Sequence, residues 1–381
     1  MDPTRFTAPA VGSVVPTIGP DGTYFAFVPA PLPRSVHLED ATVTALSKAD
    51  TALGRLAGAG RLLPNPHILV NPYVVREAVS SSAIEGTQAS VSDIYRAEAK
   101  GETREDVAEV RNYIRALNTG LERMATLPIS KRLAAEIHGV LLSGVRGRQK
   151  TPGEFRTSQN FIGSPDDRPQ TALFVPPPAG DQMESALRDW EVFHHEPSEL
   201  PTLVRCALLH YQFETIHPFL DGNGRLGRLL IVFYLMQQGA LPSPLLYLSS
   251  YFEANRREYT ERLQSVREIG SIQDWLRFFL RGVELQAADA VERAERLADL
   301  RERYRRQLSG TRSRAAEVVD LLFEYPIISV PVVSDRLGLT PPGARNLLEL
   351  LEARGVVHGL TERLGRRRSW ISNEIIEAVG A

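Results

Sequence analysis

The sequence predicts a mainly α-helical protein with one small β-hairpin and a C-terminal winged helix-turn-helix module. Three observations carry this expectation. Apolar residues recur at three- and four-residue spacings along most of the 381 residues. Residues 143–180 break that pattern with Gly144, Gly147, Gly153 and Gly163 and several prolines, between which sit Phe155, Phe161, Ile162, Phe174 and Val175. Residues 312–381 then follow an order of their own: helix, helix, turn, helix and two short strands.

Composition narrows the function classes. The 44 Lys plus Arg against 46 Asp plus Glu give a net charge of −2, which excludes a broadly cationic nucleic-acid coat. With 43% hydrophobic and 24% charged residues, wholesale disorder is excluded as well. The single cysteine, Cys206, allows neither an intramolecular disulfide nor a Cys-rich zinc site, and points to the cytoplasm. Residues 1–20 lack the basic and apolar regions of a secretory leader. The longest uncharged stretch, Leu229–Phe252, is broken by Gln237, Gln238, Gly239, Pro242 and Pro244, so no membrane partner is expected.

The elements follow in chain order. Residues 1–39 hold seven of the 26 prolines and read as an extended arm, laid on the surface or partly disordered. Residues 40–125 form an N-terminal helical region: one helix from Asp40 to the Gly58–Gly60 pair, a proline-punctuated connection over Leu62–Pro72, a helix over Val74–Ile84, and a stripe of Val110, Tyr113, Ile114, Leu117 and Leu121. Residues 126–285 form a core in which Ser130 caps a helix through Leu142, Gln159–Ile162 and Leu173–Val175 pair as a hairpin, and Pro201 opens a helix through Thr215. Residues 286–311 read as a charged helical linker. The last segment, 312–381, has helices over Ala315–Glu324, Ser329–Arg336 and Pro341–Arg354, then strands over Val356–Leu360 and Ser369–Ile371 flanking a basic tip, Arg363–Arg368. Such a module can contact DNA through its third helix and wing, or serve for docking or dimerisation.

The chemistry is concentrated in Thr215-Ile-His-Pro-Phe-Leu-Asp-Gly-Asn-Gly-Arg-Leu-Gly-Arg228. A Gly-rich turn feeding the N-terminus of an apolar helix presents unpaired N–H groups and a positive dipole end, which suits an anion. Arg225 and Arg228, three residues apart, share one face of the first turn and can clamp phosphate oxygens. Asp221 can give Mg²⁺ an oxygen ligand, since this ion needs only one or two carboxylates besides phosphates. His217 titrates near neutrality when unperturbed and suits a general base. By contrast, His194 and His195 are adjacent, point apart on a helix and have no third ligand, and His138 and His210 read as packing residues.

The run His217–Arg228 resembles the Fic family signature HPFxx[GA]NGRxxR at every fixed position. Pro152-Gly-Glu-Phe-Arg156, Gln159-Asn160 and Phe174-Val-Pro-Pro-Pro178 are similar to that family's hairpin flap. The likeness spans roughly residues 40–285. It implies a Fic-type helical core and transfer of AMP from ATP to a Ser, Thr or Tyr hydroxyl of a target protein, and to the chain itself. His217 would then be the base and Asp221 the Mg²⁺ ligand. Gly222, Asn223 and Gly224 would cradle phosphates, and Arg225 and Arg228 would stabilise the β- and γ-phosphates. Phe161, Ile162, Gly163 and Ser164 of the flap would dock an extended target by its backbone, and residues around Tyr247–Tyr251 are candidates for the adenine pocket.

Ser81-Ser-Ala-Ile-Glu-Gly86 closely resembles the family's inhibitory motif [S/T]xxxE[G/N]. Ser81 and Glu85 share a helix face, Gly86 stops the helix, and a carboxylate at that negative helix end gains from a cation. The resemblance names Arg228 as that cation, which makes Glu85 an intramolecular brake. The same glutamate aligns a water for AMP removal in some braked members, so the reverse reaction is open here too. Two alternatives stand beside adenylylation: a DNA-binding regulator using the core as a sensor, and transfer of another phosphate-linked group. A homodimer and DNA are further partners compatible with the C-terminal module.

Overall fold

The N-terminal prolines do not leave a loose arm. A 3₁₀ turn at Pro3–Arg5 leads into two antiparallel strands, β1 (Gly12–Gly19) and β2 (Gly22–Pro29), in register from Gly12↔Pro29 to Gly19↔Gly22. Pro16 is tolerated because β1 is an edge strand and needs no outward donor. Tyr24, Ala26 and Phe27 are buried with Met1, Ala172, Phe174 and Val175, and the Phe27 N–H donates to Val175 O at 2.9 Å. The arm is thus a hairpin that buttresses residues 172–175 through its own small core. This computed structural model describes residues 1–20, 22–62, 66–100, 104–309, 314–360 and 368–380.

Helix α1 (Asp40–Leu62) runs past the glycines expected to end it and packs along the long helix α11 described below. Gly60 is there for contact rather than termination: a Cβ on it would lie 2.6 Å from Leu245 Cδ1. Helix α2 (Pro66–Ile84) starts earlier than the sequence suggested. Pro66 is an unstrained first helical residue, and Pro72 lies inside the helix at the cost of one backbone hydrogen bond. Burial of Tyr73, Val74, Val75 and Ala78 offsets that cost.

Helix α3 (Val91–Lys100) was not anticipated, although its signal is present. Ser90 Oγ accepts from Asp93 N, and Asp93 Oδ2 accepts from Ser90 N, a reciprocal capping box. Helix α4 (Glu105–Arg123) buries Val110, Tyr113 and Leu117. Helix α5 (Lys131–Leu141) is capped by Ser130, whose Oγ accepts from Leu133 N at 3.3 Å. Loss of this cap in Ser130→Ala should cost about 1 kcal/mol, read as a lower urea midpoint at unchanged slope.

Between α5 and α6 (Asp181–His195) the expected hairpin shrinks to one bridge, Ile162↔Phe174. The central pair is α7 (Thr202–Ile216) and α8 (Asn223–Gln237), both buried nearly all round. Then come α9 (Ser249–Ala254), α10 (Arg256–Ile269) and α11 (Ile272–Gln307). Helix α11 is one continuous element of 36 residues, so the expected linker boundary at residue 286 falls inside a helix.

The final segment contains α12 (Ala315–Glu324), β3 (Ile327–Ser329), α13 (Val330–Leu337), α14 (Pro341–Ala353), β4 (His358–Gly359), β5 (Ser369–Ile371) and α15 (Asn373–Val379). Its sheet has the order β3-β5-β4, antiparallel throughout, with β3 and α15 additional to the sequence reading. Of the basic tip, only Arg368 lies among the described residues. It pairs with Glu352 and stacks over Trp370. Helices α12 and α15 pack on α2 and α11, so the segment is built onto the helical body. No helix of the described residues is long and apolar enough to cross a membrane.

Candidate active site

Helix α7 ends at His217, which takes the left-handed conformation (φ 48°) while its N–H still caps Phe213 O. A non-glycine residue held in this region is strained and persists only when its surroundings fix it. Two side chains that the sequence places in the flap, without a role, do so. Arg156 Nε donates to His217 O at 2.9 Å, and Asn160 Nδ2 donates to His217 O at 3.0 Å and Phe219 O at 2.8 Å. Arg156 is 2% exposed and also donates to Pro177 O. Its sequence neighbours Glu154, Thr157, Ser158 and Gln159 are polar, so nothing in residue order marks it for burial. The His217 ring is one-fifth exposed, and its Nε2 makes no hydrogen bond among the described residues. Burial, followed by Arg267 and Arg156, pushes its pKa down to about 4.

From His217 the chain turns through Asp221 into α8. Gly222 adopts φ 77°, and no side chain caps the helix, so the first-turn N–H groups remain open. Asn223 closes the loop instead, with Oδ1 accepting from Phe219 N and Nδ2 donating to Phe219 O. Asp221 Oδ1 accepts from Gly222 N at 2.5 Å and from Arg225 Nη2 at 3.3 Å, while Oδ2 has no donor among the described residues. His138 is more than packing. Its ring stacks on Phe219, its Nδ1 accepts from Gly153 N, and its Nε2 therefore donates to Asp221 O at 2.9 Å. Burial lowers its pKa to about 4 and keeps it neutral in that role.

The two arginines of the first turn differ. Arg225 is 1% exposed, yet its Nε and Nη1 have no hydrogen-bond partner among the described residues. Its nearest carboxylates are Asp221 and, at 3.8 Å, Glu109, which also pairs with Arg146 and accepts from Thr87 Oγ1 at 2.6 Å. Arg228 is fully engaged: Nε donates to Ser81 Oγ at 2.8 Å, and Nη2 donates to Ser81 O at 2.8 Å and Glu85 Oε1 at 2.9 Å. Glu85 follows the last residue of α2, and Gly86 reverses the chain at φ 94° with Thr87 N returning to Ser82 O. Burial would raise the Glu85 carboxyl, but Arg228 outweighs it and holds the group below its ordinary value. The carboxylate lies against Gly224, where any Cβ would collide with Oε1.

The structure therefore brings together His217, Asp221, Gly222, Asn223, Gly224, Arg225, Arg228, Ser81, Glu85 and Gly86. In the flap, Ile162 exchanges both backbone hydrogen bonds with Phe174, and Gly163 O accepts from Leu173 N. Ser164 Oγ is used within the turn, accepting from Arg168 N at 2.8 Å. Phe161 N–H and C=O have no partner among the described residues, which leaves one free edge. Tyr247 is buried, and Tyr251 packs on Phe278 and Gly282. His195 lies 2.6 Å from Ile129 O, and no group of three metal-binding side chains occurs among the described residues.

Comparison with known proteins agrees with this geometry. The model of the Fic/DOC family N-terminal region matches residues 43–122, and that of the Fic/DOC family matches residues 128–235, which contain the whole loop and the start of α8. Residues 43–235 carry the two Fic/DOC regions. Among curated relatives, a Protein adenylyltransferase Fic of Nematostella vectensis is 32% identical over 135 residues, covering 35% of this chain and 27% of that protein. A protein of the same name from Aedes aegypti is 34% identical over 132 residues, covering 33% and 22%. The chain thus spans less than a third of the length of these relatives. A solved Fic family protein from Desulfovibrio desulfuricans G20 has a TM-score of 0.57 at 20% identity, covering 88% of this chain and 97% of its own. A Fic domain containing signaling protein from Bacteroides thetaiotaomicron has a TM-score of 0.51 at 18% identity, covering 68% and 97%. At such identities the likeness shows the Fic fold.

Proposed function

We propose that this Fic protein transfers AMP from ATP to a hydroxyl of a target protein and of itself, and that Glu85 restrains the reaction. The observation that carries this reading is Arg225, a buried guanidinium with two unpartnered nitrogens at the open N-terminus of α8, four residues after Asp221 and eight after His217. Asp221 and Glu109 balance the charge, but buried N–H groups left without hydrogen bonds are costly, and an anion with several oxygens removes that cost. The names of the relatives point to the same nucleotide chemistry.

In the mechanism, Gly222, Asn223 and Gly224 supply backbone donors to the phosphates, and Arg225 and Arg228 neutralise the β- and γ-phosphates. Asp221 Oδ2, free of donors and partly exposed, fits a Mg²⁺ ligand. Bound Mg²⁺ would supply charge neutralisation at the phosphates. His217 Nε2 takes the proton of the target hydroxyl, whose oxygen attacks the α-phosphorus in line as pyrophosphate leaves. The free backbone edge at Phe161 registers an extended target against His217. Paired with Glu85, Arg228 is withheld from the nucleotide. In this reading the same carboxylate, which lies over Gly224, also aligns a water for AMP removal.

The test is mass spectrometry of the chain after incubation with ATP and Mg²⁺. An added AMP on Ser, Thr or Tyr supports the reading, whereas a different added group replaces it with another phosphate-linked transfer. Chelation should stop labelling and Mg²⁺ should restore it, and Asp221→Asn should lower the rate about 100-fold.

A further inference from the structure

Glu214 lies on α7 one turn before His217, with only 8% of its side chain exposed. Its Oε2 is 3.9 Å from His217 Nδ1, and its own carbonyl oxygen is 3.4 Å from the same nitrogen. Oε1 is buried and has no hydrogen-bond partner among the described residues. Helix α8 is cut away to admit it: Gly227, one of the positions the family signature leaves open, could carry no Cβ without striking Glu214 Oε1. A carboxyl buried without a hydrogen bond is costly.

The surroundings define what the group can do. Facing it are Arg228 from α8, Arg267 and Tyr259 from α10, Glu85 from the end of α2, and His210 and His217 from α7. Arg267 is directed past the carboxyl: Nη2 donates to Glu214 O at 3.1 Å and Nε to Thr215 Oγ1 at 3.0 Å, so the carboxyl takes no hydrogen bond from it. Burial raises the Glu214 carboxyl to about 7, while burial and the arginines lower His217 to about 4.

We propose that Glu214 is a positioning residue for His217: its carbonyl oxygen keeps the imidazole proton on Nδ1, and its carboxylate offsets the positive charge that forms when Nε2 accepts a proton. This rests on the adenylyl-transfer reading. In the step, the target O–H bond breaks with its proton going to Nε2, and the oxygen bonds to the α-phosphorus. The α–β anhydride bond breaks, and pyrophosphate leaves with the bonding electron pair. Arg267 and Arg156 disfavour the imidazolium so formed, and the Glu214 carboxylate lies 3.9 Å from its Nδ1. The proton then passes to solvent and restores the base.

The experiment uses the full chain carrying Glu85→Gly, with and without Glu214→Gln, labelled by ATP across pH. With Glu214 present, the rate should rise through neutrality as the carboxyl ionises. Glu214→Gln should lose that limb and lower kcat about 10- to 100-fold, with KM for ATP unchanged. An unchanged profile with unchanged kcat, or a loss confined to KM, overturns the proposal. A second measurement needs no altered Glu214. In ¹⁵N spectra of the wild-type chain near neutrality, the signal absent from His217→Ala should report a proton on Nδ1, and a proton on Nε2 overturns the proposal. If Glu85→Gly transfers nothing from ATP, the activity reading falls, while the spectrum still decides the Glu214–His217 pair.

Discussion

His217→Ala is expected to reduce AMP transfer by about 10²- to 10⁴-fold, the usual contribution of a general base. The chain should remain folded, because the hydrogen bonds that fix the turn at His217 are made to its backbone. Arg156 and Asn160 both donate to the His217 carbonyl, which alanine retains. Some destabilisation will come from placing alanine at φ 48°, to be read separately as a shift in thermal midpoint. ATP binding should survive, since Arg225, Arg228 and the first turn of α8 are untouched, so the loss should fall on kcat. The wild-type base is pushed down to about 4. It is therefore neutral and able to accept a proton throughout the physiological range, and loses that ability only on acidification toward pH 4. Labelling by His217→Ala at the wild-type rate would remove the assignment of His217.

Glu85→Gly is expected to act in the opposite direction, raising labelling of targets and of the chain itself by about 10- to 100-fold. The magnitude corresponds to about 1.4–2.7 kcal/mol, within the range of a charge-assisted hydrogen bond. Glu85 does two things at once. It engages Arg228 at 2.9 Å, and its carboxylate fills the space over Gly224. Removing it opens the phosphate loop and leaves Arg228, 2% exposed, held only by Ser81 Oγ and O. The variant should therefore be less stable than wild type without nucleotide, because an uncompensated buried charge is costly. It should also gain more thermal stability from ATP, since the γ-phosphate replaces the lost carboxylate. Equal labelling by the two proteins, with equal ATP-induced shifts, would dispose of the brake.

Legibility followed sequence separation. The capped helix after Ser130, the helices over 315–324 and 341–353, and the turn before α8 all depend on neighbours within a few residues, and they stand where capping and periodicity put them. The proline-rich arm misled because prolines disfavour helix without forbidding an edge strand, and its hairpin depends on burying Phe27 against Phe174. Helix α2 misled for a related reason, since the packing of Tyr73, Val74 and Val75 outweighs one hydrogen bond lost at Pro72. The capping box at Ser90 is legible in residue order, since its partner Asp93 lies three residues on.

The candidate site divides along the same line. His217, Asp221, the glycines, Arg225 and Arg228 lie on one continuous loop and helix turn, so their mutual placement follows from local backbone geometry and can be read from residue order. Residue order also indicates that Glu85, at the negative end of a helix, needs a cation, and a family resemblance supplied its name. Which groups surround that loop is a different matter. Arg228 meets Ser81 and Glu85 across more than 140 residues, and Arg225 approaches Glu109 from another helix. Arg156 reaches His217 from the flap, and Arg267 reaches Glu214 from α10. These contacts exist because α2, α4, α7, α8 and α10 pack around one core, and packing sets distances that no spacing along the chain encodes. Charge balance over the whole chain is near zero, but burial turns a few of those charges into a site.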